Sequence, residues 1–310
     1  VLSLVPETPT INIGENKPFV MEGRARGALV HEGGAKPDNG RKVVSKPFTT
    51  AKLVYSQRVT EEFMRWTEAK QADFISRLVD NWLTKSLGLD LDTIVLHGMN
   101  PSTGTVDTEL TTYMTKAGSS ILVPTTGTTA ATLDTDFATA VTELAEQNIN
   151  GVAISSDASK LLSTVIEGNQ KKYPELGVFG LSGNMLAGKP AATSPEVARD
   201  HKTKLVLGDW SQLLLGFAGV AEWRVHTAGD FDNTGKDLAG HNQIGIRMEL
   251  PFGFQILDTK AFCCCKGGVI WATTRAILRS VCLTRKALYI GRLWVQRYQL
   301  TPPHHSQANL

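Results

Sequence analysis

The chain of 310 residues has no aspartate or glutamate after Asp258 and no cysteine before Cys263. The second absence leaves residues 1–262 without a candidate disulfide, the usage expected of a protein made in a reducing compartment, the cytosol. The first absence divides the charge. Residues 260–310 hold eight cations (Lys260, Lys266, Arg275, Arg279, Arg285, Lys286, Arg292 and Arg297), leaving 24 cations against 30 acids upstream, so the net charge of +2 joins a body of −6 to a tail of +8. No uncharged apolar run reaches the ~18 residues of a membrane helix, and Pro6, Glu7, Pro9 and Glu15 stand where a secretory signal would have its apolar centre. Neither a membrane span nor signal-directed export is expected. Hydrophobic residues make up 42% and charged residues 20%, a globular composition able to close one or two cores. Collagen, low-complexity disorder and small disulfide scaffolds are thereby excluded. Val1 in place of an initial methionine reads as the product of trimming.

Catalytic patterns are equally scarce. Gly98–Thr105 has the glycines of a phosphate loop but lacks its Lys-Ser/Thr ending, and reads as a polar turn around Pro101. Gly180-Leu181-Ser182-Gly183 is one residue short of a nucleophile elbow. His31, His97, His201, His226, His241, His304 and His305 are scattered, without the helical spacing of a zinc protease. Glu61-Glu62 suits a helix start, and Asp230 with Asp232 lies in a Gly/Asn turn, so neither is read as an acid/base pair. Cys263-Cys264-Cys265 and Cys282 lack the register of a metal site and are read as free thiols. No enzyme activity, cofactor or metal is expected.

The positive signals are architectural. Pro6, Pro9 and Pro18 deny helix to residues 1–18, which read as an extended arm needing a partner surface. Short strands are expected at Phe19–Met21, Ala28–His31 and Val43-Val44. They are separated by the turn-rich Glu32-Gly33-Gly34-Ala35-Lys36-Pro37-Asp38-Asn39-Gly40, which makes a long hairpin with a polar tip too poor in apolar residues to build its own core. Lys52–Val59 alternates as a strand, and Thr60 is a plausible N-cap. Phe63, Trp66, Phe74, Ile75, Leu78, Val79, Trp82 and Leu83 then recur at helical steps as far as Gly88, predicting one helix of roughly 40 Å. Its apolar stripe, with Phe63, Trp66, Phe74, Leu78 and Trp82 as core, is expected to lie across a sheet. A threonine-rich connection runs to Asp134. A compact α/β unit follows, with a helix from Asp136, the buried strand Val152–Ser155, a helix after Ser156 and short strands around Val178-Phe179 and Met185-Leu186. Strands dominate from Lys204 to Phe262. Beyond them, Trp271, Tyr289, Trp294 and Tyr298 mingle with arginines. That mixture is competent to meet phosphates, stack on bases or lie on an anionic surface, and it equally reads as a shifted reading frame or an appendage.

Taken in order, these segments resemble the major capsid proteins of tailed bacteriophages, the HK97-like fold. Val30-His31-Glu32-Gly33-Gly34-Ala35-Lys36 is similar to that family's V-x-E-G hairpin segment. Leu53–Glu62 is similar to the strand entering its spine helix, and Leu91–Gly98 to the D-x-x-x-L-x-G that follows. Gly208-Asp209-Trp210-Ser211 resembles its G-D-[FW]-S, and Asn242–Phe262 its closing R-x-E…F-G…D-x-x-A-F. The resemblance covers residues 1 to about 262. It implies an α+β fold divided as an arm (1–20), an extended hairpin or E-loop (21–52), a peripheral domain with spine helix (53–118), a compact axial domain (119–207), returning strands (208–262) and a basic tail of unknown role (263–310). It further implies hexamers and pentamers of an icosahedral shell assembled in the bacterial cytoplasm around non-specifically contacted double-stranded DNA, with scaffold, portal and decoration proteins as further partners and no membrane. Val1 would then be a processing site, and Glu32, Gly33, Gly34, Lys36, Asp38 and Gly40 would contact neighbouring subunits. An encapsulin, a protein-cargo compartment of the same fold, is the alternative. Because the motifs stop at Phe262, truncation there is expected to leave assembly intact.

Overall fold

The computed structural model describes residues 1–6, 8–22, 27–36, 42–125, 129–177 and 180–267. In chain order the main elements are β1 (Phe19–Glu22), β2 (Lys42–Ser45), β3 (Ala51–Thr60), α1 (Glu68–Asp80), α2 (Leu87–His97), β4 (Ile121–Thr125), α3 (Ala130–Glu143), β5 (Gly151–Ile154), α4 (Ser156–Leu162), β6 (Met185–Leu186), β7 (Lys189–Thr193), β8 (Thr203–Gly208), β9 (Leu213–Phe217), β10 (Glu222–His226), β11 (Gln243–Ile256) and β12 (Phe262–Gly267). Residues 1–267 form one unit. The expectations for Val178-Phe179, for Cys282 and for the arginines and aromatics of the basic segment from Trp271 onward lie outside the described residues.

Two sheets organise the unit. In the first, the long β11 pairs along one edge with all of β3, from Gln243 opposite Thr60 to Phe252 opposite Ala51, and along the other with β10 and β9 in succession. The second has six strands in the order β6-β7-β5-β8-β12-β4. Its central strands are buried on both faces. Val152, Ile154, Leu205, Leu207, Cys263 and Cys265 pack towards α3 and α4, while Ala153, Val206 and Cys264 pack towards α2 and the first sheet. A strand covered on both sides reads as an unbroken apolar run rather than an alternating one.

That geometry corrects the reading of the cysteines. Cys263, Cys264 and Cys265 do not open a tail. They lie fully buried in β12, antiparallel to β8 and parallel to β4, so the sheet is incomplete without residues 263–267. A cut after Phe262 removes an interior strand, which overturns the expectation that such a truncation is harmless.

The helical expectation is displaced rather than lost. Thr60 is still extended and pairs with Gln243, because the β3–β11 ladder claims the backbone up to that point. A 3-10 turn at Glu61–Arg65 follows, and the helix starts after extended Thr67, with Glu68 in its first turn. It runs through a π-helical segment at Asn81–Ser86 directly into α2 and ends where Gly98 takes the left-handed conformation, φ 63°. Thirty residues at 1.5 Å each give a rod of about 45 Å. Gly88 does not stop it. A mid-helix glycine costs about 1 kcal/mol, and the burial of Leu91, Ile94, Val95 and Leu96 immediately beyond exceeds that cost.

Three further expectations change. Ala28–His31 forms no strand. α3 begins six residues earlier than Asp136, because the end of the threonine-rich connection, with Thr132, lies on the helix, where the Thr129 hydroxyl caps it by accepting the Thr132 amide; within the helix Thr135, Thr139 and Thr142 bond back to the carbonyls of Ala131, Thr135 and Ala138 at 2.9–3.0 Å. The N-terminal arm finds its surface within its own subunit. Val5 is buried in the core, the Ile11 amide donates to the Phe217 carbonyl at 3.1 Å, and Glu15-Asn16 pairs with Phe48-Thr49.

Candidate functional site

The part of the subunit least able to stand alone is the hairpin. β1 and β2 pair with each other in a two-stranded sheet that is continuous with neither main sheet. Between them, described residues 27–36 are all exposed, Leu29 by 88%, and Phe19 and Val43 also turn outward. Glu32 and Gly33 form a turn in which Gly33 has φ 80° and the Gly34 amide donates to the His31 carbonyl at 2.9 Å. Lys36 is exposed. Asp38 and Gly40 lie outside the described residues.

The later segments of the resemblance, Leu91–Gly98, Gly208–Ser211 and Ala261-Phe262, behave differently, as joints. Asp92 accepts the Ser194 hydroxyl at 2.9 Å and faces the Val1 amino group at 3.1 Å. Leu96 is fully buried. Gly98 caps α2 against the Tyr113 ring, which would lie 2.4 Å from any Cβ placed there. Gly208 has no room for a Cβ because the Ala261 carbonyl lies on it, and the Asp209 amide donates to that carbonyl at 2.9 Å. Asn150 donates to Asp209 and accepts from the Trp210 amide, both at 2.7 Å, while Trp210 meets Phe262 edge-on with centroids 5.5 Å apart. Gly208-Asp209-Trp210-Ser211 and Ala261-Phe262 are therefore the two halves of one joint where the second sheet passes into the first.

The phage capsid family profile matches residues 1–267, the same stretch that folds as one unit. The chain belongs to the phage capsid family. Its fold, the HK97-like α+β architecture of major capsid proteins, is shared with solved structures. A structure from Gordonia phage Cozz is 24% identical with a TM-score of 0.68, covering 86% of this chain and 85% of the other. One from Mycobacterium phage Ogopogo is 24% identical with a TM-score of 0.66, covering 86% and 92%. The capsid of an empty GTA particle is 12% identical with a TM-score of 0.57, covering 86% and 89%. No curated protein matches in sequence.

In this capsid protein the helix residues expected to form a core divide. Trp82 is buried, stacks on Tyr55 at 5.9 Å and packs with Ile246 and Met248 of β11, with Phe74 and Leu78 half-buried beside them. Phe63 and Trp66 precede the helix. Phe63 is buried in the 3-10 turn, whereas Trp66 is 36% exposed, touching Phe63 and Phe74 and carrying Lys70 4.3 Å above its ring. The Tyr55 hydroxyl donates to Asp90 at 2.6 Å, and burial next to that carboxylate pushes the phenol pKa far up.

The titratable groups inside the subunit are structural. His97 is buried, with Nε2 2.9 Å from the Glu196 carbonyl and Nδ1 3.3 Å from the Thr115 hydroxyl. A carbonyl only accepts, so Nε2 carries the proton and Nδ1 accepts. Burial lowers the His97 pKa, opposed by Asp200, which also holds Lys266 at 3.2 Å. Burial pushes the thiols of Cys263 and Cys264 up to about 12 and raises that of Cys265, the opposite of what a nucleophile or metal ligand needs. Among the described residues no group of three His, Cys, Asp or Glu side chains is disposed to hold a metal, and no helix is long and apolar enough to cross a membrane. What the surface offers is apolar contact, at the hairpin and along β10, where Trp223 and Val225 are each 48% exposed.

Proposed function

We propose that this structural capsid protein assembles as hexamers and pentamers of a closed icosahedral shell around double-stranded DNA, built in the cytoplasm of a bacterial host with scaffold, portal and decoration proteins as further partners. In this reading the β3–β10–β11 sheet with α1 is the peripheral domain, the six-stranded sheet with α3 and α4 is the axial domain, and Glu32, Gly33, Gly34, Lys36, Asp38 and Gly40 mark a hairpin tip that contacts adjacent subunits. The observation carrying it is the exposed hairpin. A segment with Leu29 and Phe19 facing outward, paired in a sheet of its own, gains its apolar burial only when another surface covers it.

Deleting Glu32–Gly40 from the full chain is the test. Negative-stain electron microscopy and sedimentation should show particles weakened or lost, while circular dichroism retains the subunit's helix content. Loss of the subunit fold on deletion would show that the hairpin belongs to its own core. Intact, equally stable particles would remove it from the interface. Particles purified with DNA support the phage reading, and particles filled with protein cargo support the encapsulin alternative.

A further inference from the structure

Between β10 and β11 the chain passes through Gly229-Asp230-Phe231-Asp232-Asn233-Thr234-Gly235-Lys236-Asp237, a turn that closes on Arg58 of β3. Arg58 Nη2 lies 3.1 Å from Asp230 Oδ1, 2.7 Å from Thr234 Oγ1 and 2.9 Å from the Lys236 carbonyl, and it also contacts Asp232 Oδ1. Nε donates to Asp232 Oδ2 at 2.7 Å, and Nη1 reaches Gln243 Oε1 at 3.3 Å. A terminal guanidinium nitrogen has two hydrogens. Four oxygens gathered on Nη2 exceed what its hydrogen bonds use, and such a shell of oxygens suits a cation that attracts equally from all sides.

The spacing of these oxygens is independent of that count and agrees with it. With Asp230 as position 1, side chains come from positions 1, 3 and 5, glycine stands at 6 with φ 79°, and the carbonyl comes from 7. This is how helix–loop–helix calcium loops supply their first ligands. Position 12, where such loops carry a bidentate glutamate, is His241. The turn therefore has fewer carboxylates than a calcium loop, in keeping with a resident cation of single charge.

The turn is also anchored apart from Arg58. A Cβ on Gly245 would come 2.6 Å from the Phe231 ring, which therefore lies directly on β11. The same ring stacks on His226 at 5.6 Å and has the Arg247 guanidinium carbon 5.4 Å from its centroid. Asp237 ties the ends, accepting the Gly229 and Gly240 amides at 2.8 Å each.

We propose that Asp230–Lys236 is a calcium-type coordination loop in which the Arg58 guanidinium occupies the ion's place. The native subunit then folds the loop without metal, and a chain lacking Arg58 takes up a divalent cation there, calcium in preference to the smaller magnesium. The inference concerns the folded subunit and is independent of the assembly reading.

The test compares the native full chain with Arg58→Ala by calorimetric titration with CaCl2 and by thermal unfolding in CaCl2 and in EDTA. A loop with two carboxylates belongs at the weak end of calcium affinities, Kd ~0.1–1 mM. About 10 mM CaCl2 should then shift the variant's folding equilibrium roughly 10- to 100-fold, a rise of several degrees in Tm. The native chain should bind no calcium and melt alike in both buffers. Magnesium should give a smaller response, and Asp232→Asn added to Arg58→Ala should abolish the calcium effect. Should Arg58→Ala fail to fold in EDTA, recovery of its folded signal in CaCl2 supports the proposal, and Arg58→Gln, which keeps most of the side chain's length, repeats the measurement. A folded variant that takes up no calcium, failure of both variants to recover in CaCl2, persistence of binding after Asp232→Asn, or native binding as strong as the variant's would overturn it.

Discussion

Cutting the chain five residues apart should separate two outcomes completely. A protein ending at Gly267 keeps β12 between β8 and β4, whereas one ending at Phe262 loses Cys263–Gly267 from both ladders. With about one backbone hydrogen bond per residue on each side, some ten bonds at a net ~1 kcal/mol each are lost. Burial of three fully enclosed cysteine side chains adds a further ~3 kcal/mol. Even half of that total rivals the 5–15 kcal/mol by which domains are stable, and β4 is left as a strand without a neighbour. The assay is thermal unfolding followed by circular dichroism, with electron microscopy of the same samples. Residues 1–267 should melt cooperatively and remain competent to assemble, and residues 1–262 should show no cooperative transition. If the shorter chain melted within a few degrees of the longer, β12 would not be the interior strand described above.

The remaining predictions concern single residues. Trp82→Ala should cost ~3–5 kcal/mol by denaturant unfolding, as for a buried aromatic, while Trp66→Ala, 36% exposed, should cost about 1 kcal/mol; equal losses would contradict the burial of Trp82 against Tyr55 and β11. Gly245→Ala should destabilise by ~1–3 kcal/mol through displacement of the Phe231 ring from β11, whereas Gly183→Ala, where nothing lies within 4 Å of the new Cβ but φ is 87°, should lose only ~1 kcal/mol of backbone strain. His97 gives a pH dependence of fixed sign. Its folded pKa lies below the unfolded value, so its contribution to stability is full above about pH 6.5 and is lost as pH falls through the folded pKa. Tm measured from neutral pH downward should therefore fall less steeply in His97→Gln than in the native chain.

Which features the sequence reveals depends on how local their physics is. The β3 alternation, the buried run Val152–Ile154 and the turn at Gly33 are set by neighbours along the chain, and each is legible. The start of the long helix is not, because a ladder with β11, nearly two hundred residues away, holds Thr60 extended and leaves the cap to Thr67. The cysteines mislead for a related reason. A strand buried on both faces shows no period, and three thiols next to a segment without acids look like the beginning of that segment. Arg58 could not be assigned at all, since nothing in Gln57-Arg58-Val59 points to a turn 172 positions later.

The absence of catalytic patterns and the clarity of the family resemblance have one physical cause. Apart from the exposed hairpin segment, the resemblance is carried at points of close packing: Gly98 against the Tyr113 ring, and Gly208 under the Ala261 carbonyl. At each, an added Cβ would meet a neighbouring group at 2.2–2.4 Å, so the glycine and the group facing it are set by one contact. Neighbours only 10–24% identical nevertheless cover 86% of the chain at TM-scores of 0.54–0.68, as expected when a few joints fix how two sheets and a long helix meet. A substitution at such a joint should therefore act on subunit folding before it acts on assembly. Gly208→Ala must move either the Ala261 carbonyl, 2.2 Å from the added Cβ, or the entire start of β12. Its loss of soluble, cooperatively folding protein, at subunit concentrations too low for particles, would place the joint in the subunit. Normal subunits that fail only on assembly would place it at an interface instead.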